Sequence, residues 1–514
     1  MKTSALLKDA LSERARTLWA SRYLPAVIIC VGAALRLSHY ASNRSLCVDE
    51  AMLASSVIRR SLWQLFLKLD YSQASPVGFL ALERFAVVVF GRGELALRLV
   101  PLVSGLLSLY LFYVLGVKWL DRSAALFALG LLAIAEPFIY YSAEVKHYST
   151  DVMCALLIYL SLTRVMRDAA SLASLLVLTV TGAVAVWFSY PAAFVLAGIG
   201  APLALFSVYR KKWAGLLRLS VVGSVWALSF VICYLVLIRQ VAANPDQLWF
   251  WRSGFVPFSS LGVTAEWLRK SFMDFSQGTL RLPTALGCAN VGALALLVGC
   301  YVTFRKKKQE LAVIVGPVLF CLLASSLRRY PFKGRLLLFL APGALLLMGN
   351  GAAQLAGHCR YRFLRLGGLV LVILLFMPVA YRALGLALPP YGEEEIKPVI
   401  QNIWERRQPG DIVYVHYGAN PAFQYYREVY GYGFEDWVRG VFSPWDRTRY
   451  LAELKQFTGG RDVRRVWFLF SHDRYDEAGF FLSKLDGMGK RLDGFEARGA
   501  AAYLYELDGK HDRR

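Results

Sequence analysis

Long apolar runs constrain this chain more than anything else in it. Runs near residues 24–39, 98–117, 123–139, 149–163, 172–188, 192–208, 219–238, 284–304, 311–327, 335–352 and 367–388 have roughly the length that a helix needs to cross about 30 Å of hydrocarbon. Inside a bilayer every backbone N–H and C=O must be satisfied within the protein, which leaves only helices and closed barrels. Runs of this length specify helices, so the expected fold class is an α-helical polytopic membrane protein of about eleven spans. Composition agrees, with 57% hydrophobic and 18% charged residues and a mean hydropathy of +0.44. Soluble domains carry about a quarter charged residues, so a soluble protein is excluded.

The net charge is +22, which in a soluble chain would point to nucleic acid. Residues 389–514, however, hold 19 basic and 20 acidic side chains, so the whole excess lies in the apolar part. Cationic cytoplasmic loops account for such an excess, and no nucleic-acid partner is expected. Eight cysteines without a CxxC pair give neither a disulfide framework nor a thiolate metal site. The N-terminal residues Lys2, Lys8, Arg14, Arg16 and Arg22 precede an apolar run with no cleavage signal, so the first helix is expected to stay, with its N-terminus in the cytoplasm.

Loop charge settles one ambiguous run, 76–90, which is short, starts with a proline and carries Glu83-Arg84 in its middle. If it spans, the basic turns at Lys118/Arg122, Arg164/Arg167, Arg210-Lys211-Lys212, Arg305 to Lys308 and Arg360/Arg362/Arg365 all face outward. If it lies at the interface, all of them join the basic N-terminus inside. The second arrangement follows the positive-inside trend and makes 76–90 a juxtamembrane helix. Residues 40–97, 140–148, 239–283, the turn Leu327 to Gly334 and the C-terminal region then share the non-cytoplasmic side.

Residues 1–388 read as a transmembrane domain and 389–514 as a soluble one. The breaker cluster Pro389-Pro390-Tyr391-Gly392 opens the second. Helical stretches (394–407, 447–456, 475–487) alternate there with strand-like runs (411–416, 463–471, 490–496, 501–507), which predicts a small α/β domain. It lacks the glycine-rich nucleotide fingerprints and is read as a lid or docking module.

Three polar clusters on the non-cytoplasmic side can carry chemistry. Asp49-Glu50 follows the first span; an ionised carboxylate there can act as a general base, and the plainer reading is first-turn acids at a helix start. In Glu144-Val-Lys146-His147-Tyr-Ser-Thr-Asp151, a helix beginning at residue 144 would put Glu144, His147 and Asp151 on one face. Those groups suit an acceptor or a divalent cation, although the set is not a metal pattern by itself. The third cluster, Arg328, Arg329, Lys333 and Arg335, breaks the positive-inside trend. Guanidinium forks and an ammonium fit a phosphate, and snorkelling to headgroups is the plainer alternative. Trp249-Phe250-Trp251, within 244–252, reads as an interfacial belt.

Taken together, Asp49-Glu50, Gln73-Ala-Ser-Pro76, Gly91-Arg92-Gly93-Glu94 to Arg98 and Pro101, Tyr141-Ser142-Ala143-Glu144-Val-Lys146-His147-Tyr148, and Arg329-Tyr330-Pro331 with Gly334-Arg335 and Pro342 resemble the bacterial membrane glycosyltransferases of the GT-C fold. That group includes protein O-mannosyltransferases and the lipid A aminoarabinose transferase. The resemblance spans most of the first 390 residues and implies two juxtamembrane helices after the first span. It also implies transfer of a sugar from a polyprenyl-phosphate carrier to a glycan, lipid or protein acceptor at the outer face of a bacterial plasma membrane, usually with inversion.

By that resemblance Asp49 is the base, Glu50 and Glu144 position acceptor or base, and the basic turn holds the leaving phosphate. Relatives carry a basic residue before the proline matching Pro76, where this chain has Ser75; Arg84 and Lys146 are the candidate substitutes. Metal use differs within the group and is left open here. The rival from another class is a transporter or flippase for a lipid-linked or anionic substrate, which would place charges near the midplane and show an inverted repeat. A membrane scaffold with a partner-binding outer domain is a second rival.

Overall fold

A computed structural model describes residues 21–168, 171–239, 245–357, 362–388, 392–443, 446–459, 465–473 and 475–507. The basic residues before Arg22, Asn244, Arg360 and the Pro389-Pro390-Tyr391 breaker lie outside them. Every predicted apolar run falls on a helix, from Leu24–Ala41 and Leu99–Trp119 to Gly334–Gly357 and Leu366–Leu386. Among the described residues nine helices are long and apolar enough to cross a membrane, or ten counting one bent pair as a single span. The remaining predicted run, Leu172–Phe188, is an apolar helix of 17 residues. The chain is a multi-pass membrane protein.

The bent pair is Arg122–Ile134 and Glu136–Ala143, which meet at 57°. Pro137 has no N–H to offer the Ala133 carbonyl, so the ladder fails at that point. Buried Arg36 of the first span repairs it by donating to Ala133 O at 3.1 Å and Leu132 O at 3.0 Å, as hydrocarbon surroundings require. Elsewhere small residues let helices touch. A Cβ on Gly198 would lie 2.1 Å from Pro317 N, and one on Gly316 would lie 1.9 Å from Gly198 O, so Ala192–Tyr209 and Lys308–Ser326 pack backbone to backbone.

Run 76–90 forms the helix Val77–Phe90. At 1.5 Å per residue its 14 residues extend roughly 21 Å, short of the bilayer core. Arg84 ties it to a second short helix, Val48–Arg59, by donating to Val57 O at 3.1 Å and Ile58 O at 2.9 Å. The chain between the first two spans is therefore held as two helices against one end of the bundle. The segment 245–284 and the turn after Ser326 reach the same end, where Phe332 N donates to Gly254 O at 2.7 Å.

The C-terminal residues build a five-stranded sheet in the order β2-β1-β3-β5-β4, with β1 Ile412–Val415, β2 Trp437–Arg439, β3 Arg465–Ser471, β4 Gly489–Ala497 and β5 Ala500–Leu507. β1 is parallel to β2 and β3, whereas β5 is antiparallel to β3 and β4. Strand alternation sorts the faces. Tyr414, Phe468 and Phe470 pack with Phe481 and Leu485 on one side. On the other, Val413, Val415, Trp467 and Leu469 pack with Ile396, Ile400 and Tyr426. That second core continues into Leu46, Ala51, Leu53, Ala54 and Phe79, so the sheet and the two juxtamembrane helices share one apolar interior. The helix Asn420–Val429 and strand β2 are the parts of this region that sequence patterning missed.

Candidate active site

Asp49 and Glu50 are neighbours with opposite surroundings. The helix Val48–Arg59 starts at Cys47 in a capping box, with the Glu50 side chain accepting from Cys47 N. An Asp one step earlier on the same turn points elsewhere. Glu50 is fully buried and accepts from Arg44 Nη1 at 2.8 Å, Arg98 Nε and Nη2 at 3.0 Å each, and Val145 N at 2.9 Å. Burial opposes its charge, but the Arg44 and Arg98 guanidiniums outweigh that and hold its carboxyl below the usual carboxylate range. The same arginines donate onward, Arg98 to Arg44 O at 2.7 Å and Arg44 to Ala143 O at 3.0 Å. Glu50 thus bolts the start of its helix to Arg98 and to residues 143–145.

The Asp49 side chain keeps 28% exposure against none for Glu50, so it is the member of the pair that a ligand can reach. Its Oδ2 accepts from Arg335, whose guanidinium lies 5.7 Å over the Tyr148 ring. Burial again opposes ionisation, and Lys146 and Arg335 overcome it to hold Asp49 at about 2. Lys146 is buried and donates to Gln73 Oε1 at 2.6 Å; desolvation lowers its ammonium pKa despite the nearby Asp49.

Residue 144 does not begin a helix. Glu144 is extended, at φ −121° and ψ 135°, and the helix starts at Tyr148. The bonds from Arg44 to Ala143 O and from Val145 N to Glu50 pin this stretch to the neighbouring loop, and Lys146 N closes a tight turn on Glu144 O at 2.6 Å. The expected shared face of Glu144, His147 and Asp151 is therefore corrected to His147 and Asp151 alone, whose Nε2 and Oδ2 are 3.7 Å apart. His147 also faces Ser75 Oγ at 3.3 Å, and burial lowers its pKa to about 3. Glu144 is buried with Oε2 unpartnered. Desolvation and the Glu50 charge push its carboxyl up to about 7, so it readily carries a proton near neutrality.

The predicted cations separate. Arg335 and Lys146 flank Asp49. Arg328 and Arg329 are exposed, and Arg329 stands at the edge of an apolar cavity of about 680 Å³ between the spans Ala192–Tyr209, Trp213–Ile238 and Lys308–Ser326. Lys333 donates to Ser253 Oγ at 2.7 Å. Arg84 binds carbonyls at the far end of Val48–Arg59, roughly 13 Å along the axis from Asp49, and does not join the others. Among the described residues no group of three or more His, Cys, Asp or Glu is arranged to hold a metal ion.

Sequence reasoning gave no role to Arg44, Gln73, Glu394 or His472, all of which touch this cluster. Arg44 and Arg98 did carry a signal, being cations on the side where positive charge is scarce. Glu394 and His472 come from the C-terminal region, hundreds of residues away, and had none.

Residues 74–237 match the family model described as dolichyl-phosphate-mannose-protein mannosyltransferase. The whole chain has the GT-C fold of membrane glycosyltransferases. It is similar to ArnT from Cupriavidus metallidurans solved with undecaprenyl phosphate, at 13% identity and a TM-score of 0.53, over 94% of this chain and 98% of that one. It is also similar to the Archaeoglobus fulgidus oligosaccharyltransferase tethered to an acceptor peptide, at 12% identity and a TM-score of 0.53, over 94% and 74% of the two chains. The oligosaccharyltransferase AglB from Archaeoglobus fulgidus, in complex with an inhibitory peptide and a dolichol-phosphate, is similar at 11% identity and a TM-score of 0.50, again over 94% and 74%. No curated protein matches the sequence significantly.

Proposed function

We propose that this protein transfers a sugar from a polyprenyl-phosphate-linked donor to a hydroxyl- or amine-bearing acceptor, a glycan, lipid or protein, at the outer face of a bacterial plasma membrane. The observation that carries the reading is Asp49: ionised, reachable, and flanked by two cations. The acceptor proton goes to Asp49 while its oxygen or nitrogen attacks the anomeric carbon. The bond from that carbon to the carrier phosphate oxygen breaks, and the phosphate leaves with the electron pair. Attack from the face opposite the leaving group inverts the centre.

Cations neutralising the developing phosphate charge supply electrostatic stabilisation. Arg335 suits that work, with Lys146 beside it and with Arg329 and Arg328 guiding the lipid-borne phosphate. The apolar cavity that Arg329 borders, walled by Ala197, Gly200, Ala201 and Gly223, supports a seat for part of the polyprenyl chain.

Arg335 has two claims on it in this scheme. While bound to Asp49 it keeps that carboxylate a weak base; the singly charged phosphodiester of the donor, whose charge grows as the sugar leaves, draws it away, and Asp49 then becomes a stronger one. Donor binding would so activate the base. Glu144 sits behind the pair as a protonated hydrogen-bond donor or proton store. The N-terminus is assigned to the cytoplasm and the C-terminal domain, residues 389–514, to the periplasmic side, where it would cap the site or select acceptors.

The test is mass analysis of envelope lipids and glycans from a strain lacking the gene, complemented with wild type or Asp49→Asn. Loss of one sugar-bearing product with the Asp49→Asn variant at normal protein level supports the reading, and full product with that variant refutes the assignment of the base.

A further inference from the structure

Tyr190, just ahead of the span Ala192–Tyr209, donates to Ser75 O at 2.9 Å, so that span starts at the end of the bundle that carries Asp49. Its 18 residues run roughly 27 Å, and Arg210 therefore stands at the opposite end. The apolar cavity that begins beside Arg329 follows the same span past Gly200 to Leu203 and is walled there by Leu216 and Leu219 of Trp213–Ile238. A second cavity, of about 160 Å³, adjoins it and shares Leu203 and Leu219. Phe206 extends its apolar wall, and Arg210, Lys212 and Arg218 stand on it, with no carboxylate lining it among the described residues.

Topology alone accounts for cations in the turn 210–212. It does not account for Arg218, which lies roughly 7.5 Å beyond the start of Trp213–Ile238. A cation inside a span is costly and as a rule faces a partner or a cavity. Arg218 faces this cavity, from a different level than Arg210 and Lys212. The three therefore gather around one opening whose far wall is leucine and phenylalanine, and basic pockets between spans are where anionic lipid head groups bind.

We propose that this cavity binds an anionic phospholipid of the leaflet at the end opposite Asp49, with the phosphate among Arg210, Lys212 and Arg218 and an acyl chain along Leu203 and Leu219. Its apolar continuation commits the site to a lipid and not to a free phosphate. The adjoining cavity measures about 680 Å³, and among the described residues only Ser220, Trp226 and Arg329 bring polar side-chain atoms to its wall. A free phosphate would leave that continuation unused. The polyprenyl chain placed in the same cavity enters from the Arg329 end, and the phospholipid chain from the other.

Full-length protein in a neutral detergent is titrated with dioleoyl-phosphatidylglycerol or dioleoyl-phosphatidylcholine, and bound lipid is counted by native mass spectrometry. Wild type is expected to prefer the phosphatidylglycerol by about tenfold or more. Each cation beside an anionic lipid contributes about fivefold in affinity, which is about 1 kcal/mol. Arg210→Gln should therefore weaken phosphatidylglycerol about fivefold, and Arg210→Gln/Arg218→Gln about 25-fold, with phosphatidylcholine unchanged. Arg305→Gln/Lys306→Gln removes the same charge at the same end of the bundle but outside the cavity, and should bind as wild type does. All four side chains are exposed, so these variants keep the fold. Glycerol 1-phosphate, the head-group phosphate without chains, should fail to displace the lipid even in large excess.

Equal phosphatidylglycerol affinity in Arg210→Gln/Arg218→Gln and wild type overturns the proposal, as does a wild type that binds both lipids alike. So does an equal loss in Arg305→Gln/Lys306→Gln, since overall charge and not the cavity would then be the cause. Displacement by glycerol 1-phosphate would make the ligand a free phosphate and overturn the lipid assignment. None of these readouts involves Asp49 or sugar transfer, so a failed Asp49→Asn complementation test would leave them standing.

Discussion

Glu50→Ala is the perturbation whose size the structure specifies best. Its carboxylate receives bonds from Arg44, Arg98, Val145 N and Cys47 N, and the two arginine side chains are 2% and 1% exposed. Removing the acid leaves two guanidiniums in a dry site with backbone carbonyls and, for Arg44, the face of the Tyr140 ring. Breaking a buried ion pair from one side costs about 3–5 kcal/mol. Glu50→Gln keeps the shape but turns an acceptor-only group into one with two N–H donors facing donors, so about 1.5–3 kcal/mol is expected.

Asp49→Asn, one residue away and more exposed, should cost less than 1 kcal/mol, as partly exposed pairs do. The assay is thermal unfolding of purified protein in one detergent, followed by the fraction that still elutes as monodisperse species. The order expected is Glu50→Ala lowest by several degrees, Glu50→Gln between, and Asp49→Asn near wild type. A Glu50→Ala midpoint equal to that of Asp49→Asn would refute the account of Glu50 as the bolt of the site. The pH dependence follows the same way. A carboxyl depressed in the folded state contributes stability that is present above its unfolded value, about 4.3, and is lost as pH falls through its folded value. The Glu50 contribution is therefore absent only in strong acid, and the difference between wild type and Glu50→Gln should shrink there.

Other outcomes follow from single contacts. Arg335→Lys keeps a charge near Asp49 but loses the fork, so turnover should fall at least tenfold with donor binding weakened, measured with membranes and a labelled lipid-phosphate sugar; unchanged turnover would show that the guanidinium geometry is irrelevant. Arg329→Gln should raise the donor concentration needed for half-maximal rate while leaving the maximal rate within about twofold. Gly198→Val would drive a branched side chain into Pro317 and Gly316, and loss of monodisperse protein is expected; normal folding would mean that the two spans separate freely. Glu144→Gln keeps the neutral form's shape, so activity should persist at neutral pH and lose the dependence on protonation that the raised carboxyl imposes.

The spans were legible because hydrophobic length is written locally: every apolar run became a helix, and loop charge alone kept 76–90 out of the bilayer count. The β1, β3, β4 and β5 strands were legible for a similar reason, since alternation and breakers are short-range signals. Strand β2 is three residues long and Asn420–Val429 follows a strand so closely that the pattern ran together. The site was legible as residue types but not as contacts. Glu144 looked helical because it precedes a helix; only the long-range bonds to Arg44 and Glu50 hold it extended. Arg84 looked like a phosphate ligand because it was a cation near the right loop, and only the fold reveals that two carbonyls of Val48–Arg59 already occupy it.

The division of the chain into a membrane part and a soluble part describes composition better than it describes the acid loop. Residues 44–97 bury their apolar side chains in a core shared with the sheet region, and the bonds that hold them come from both sides. From the bundle come Arg98 and the backbone at 143–145; from the sheet region come Glu395 on Ser45 at 2.8 Å, Tyr426 on Leu46 N at 2.8 Å and Glu394 on Val48 N at 3.1 Å. Lys397 adds a bond to buried Glu94 at 2.9 Å. A lid that swung freely would break all of these and open the apolar core that runs from Leu46 and Phe79 to Trp467. Asp49 is already partly exposed, and wider access calls only for movements smaller than a hinge: Arg335 leaving the carboxylate, or the turn at 328–335 shifting around its contact with Gly254. On that argument a cut chain ending before residue 389 should yield a folded bundle at most, with the loop that carries Asp49 open to protease, and protection of that loop in the cut chain would count against the shared core.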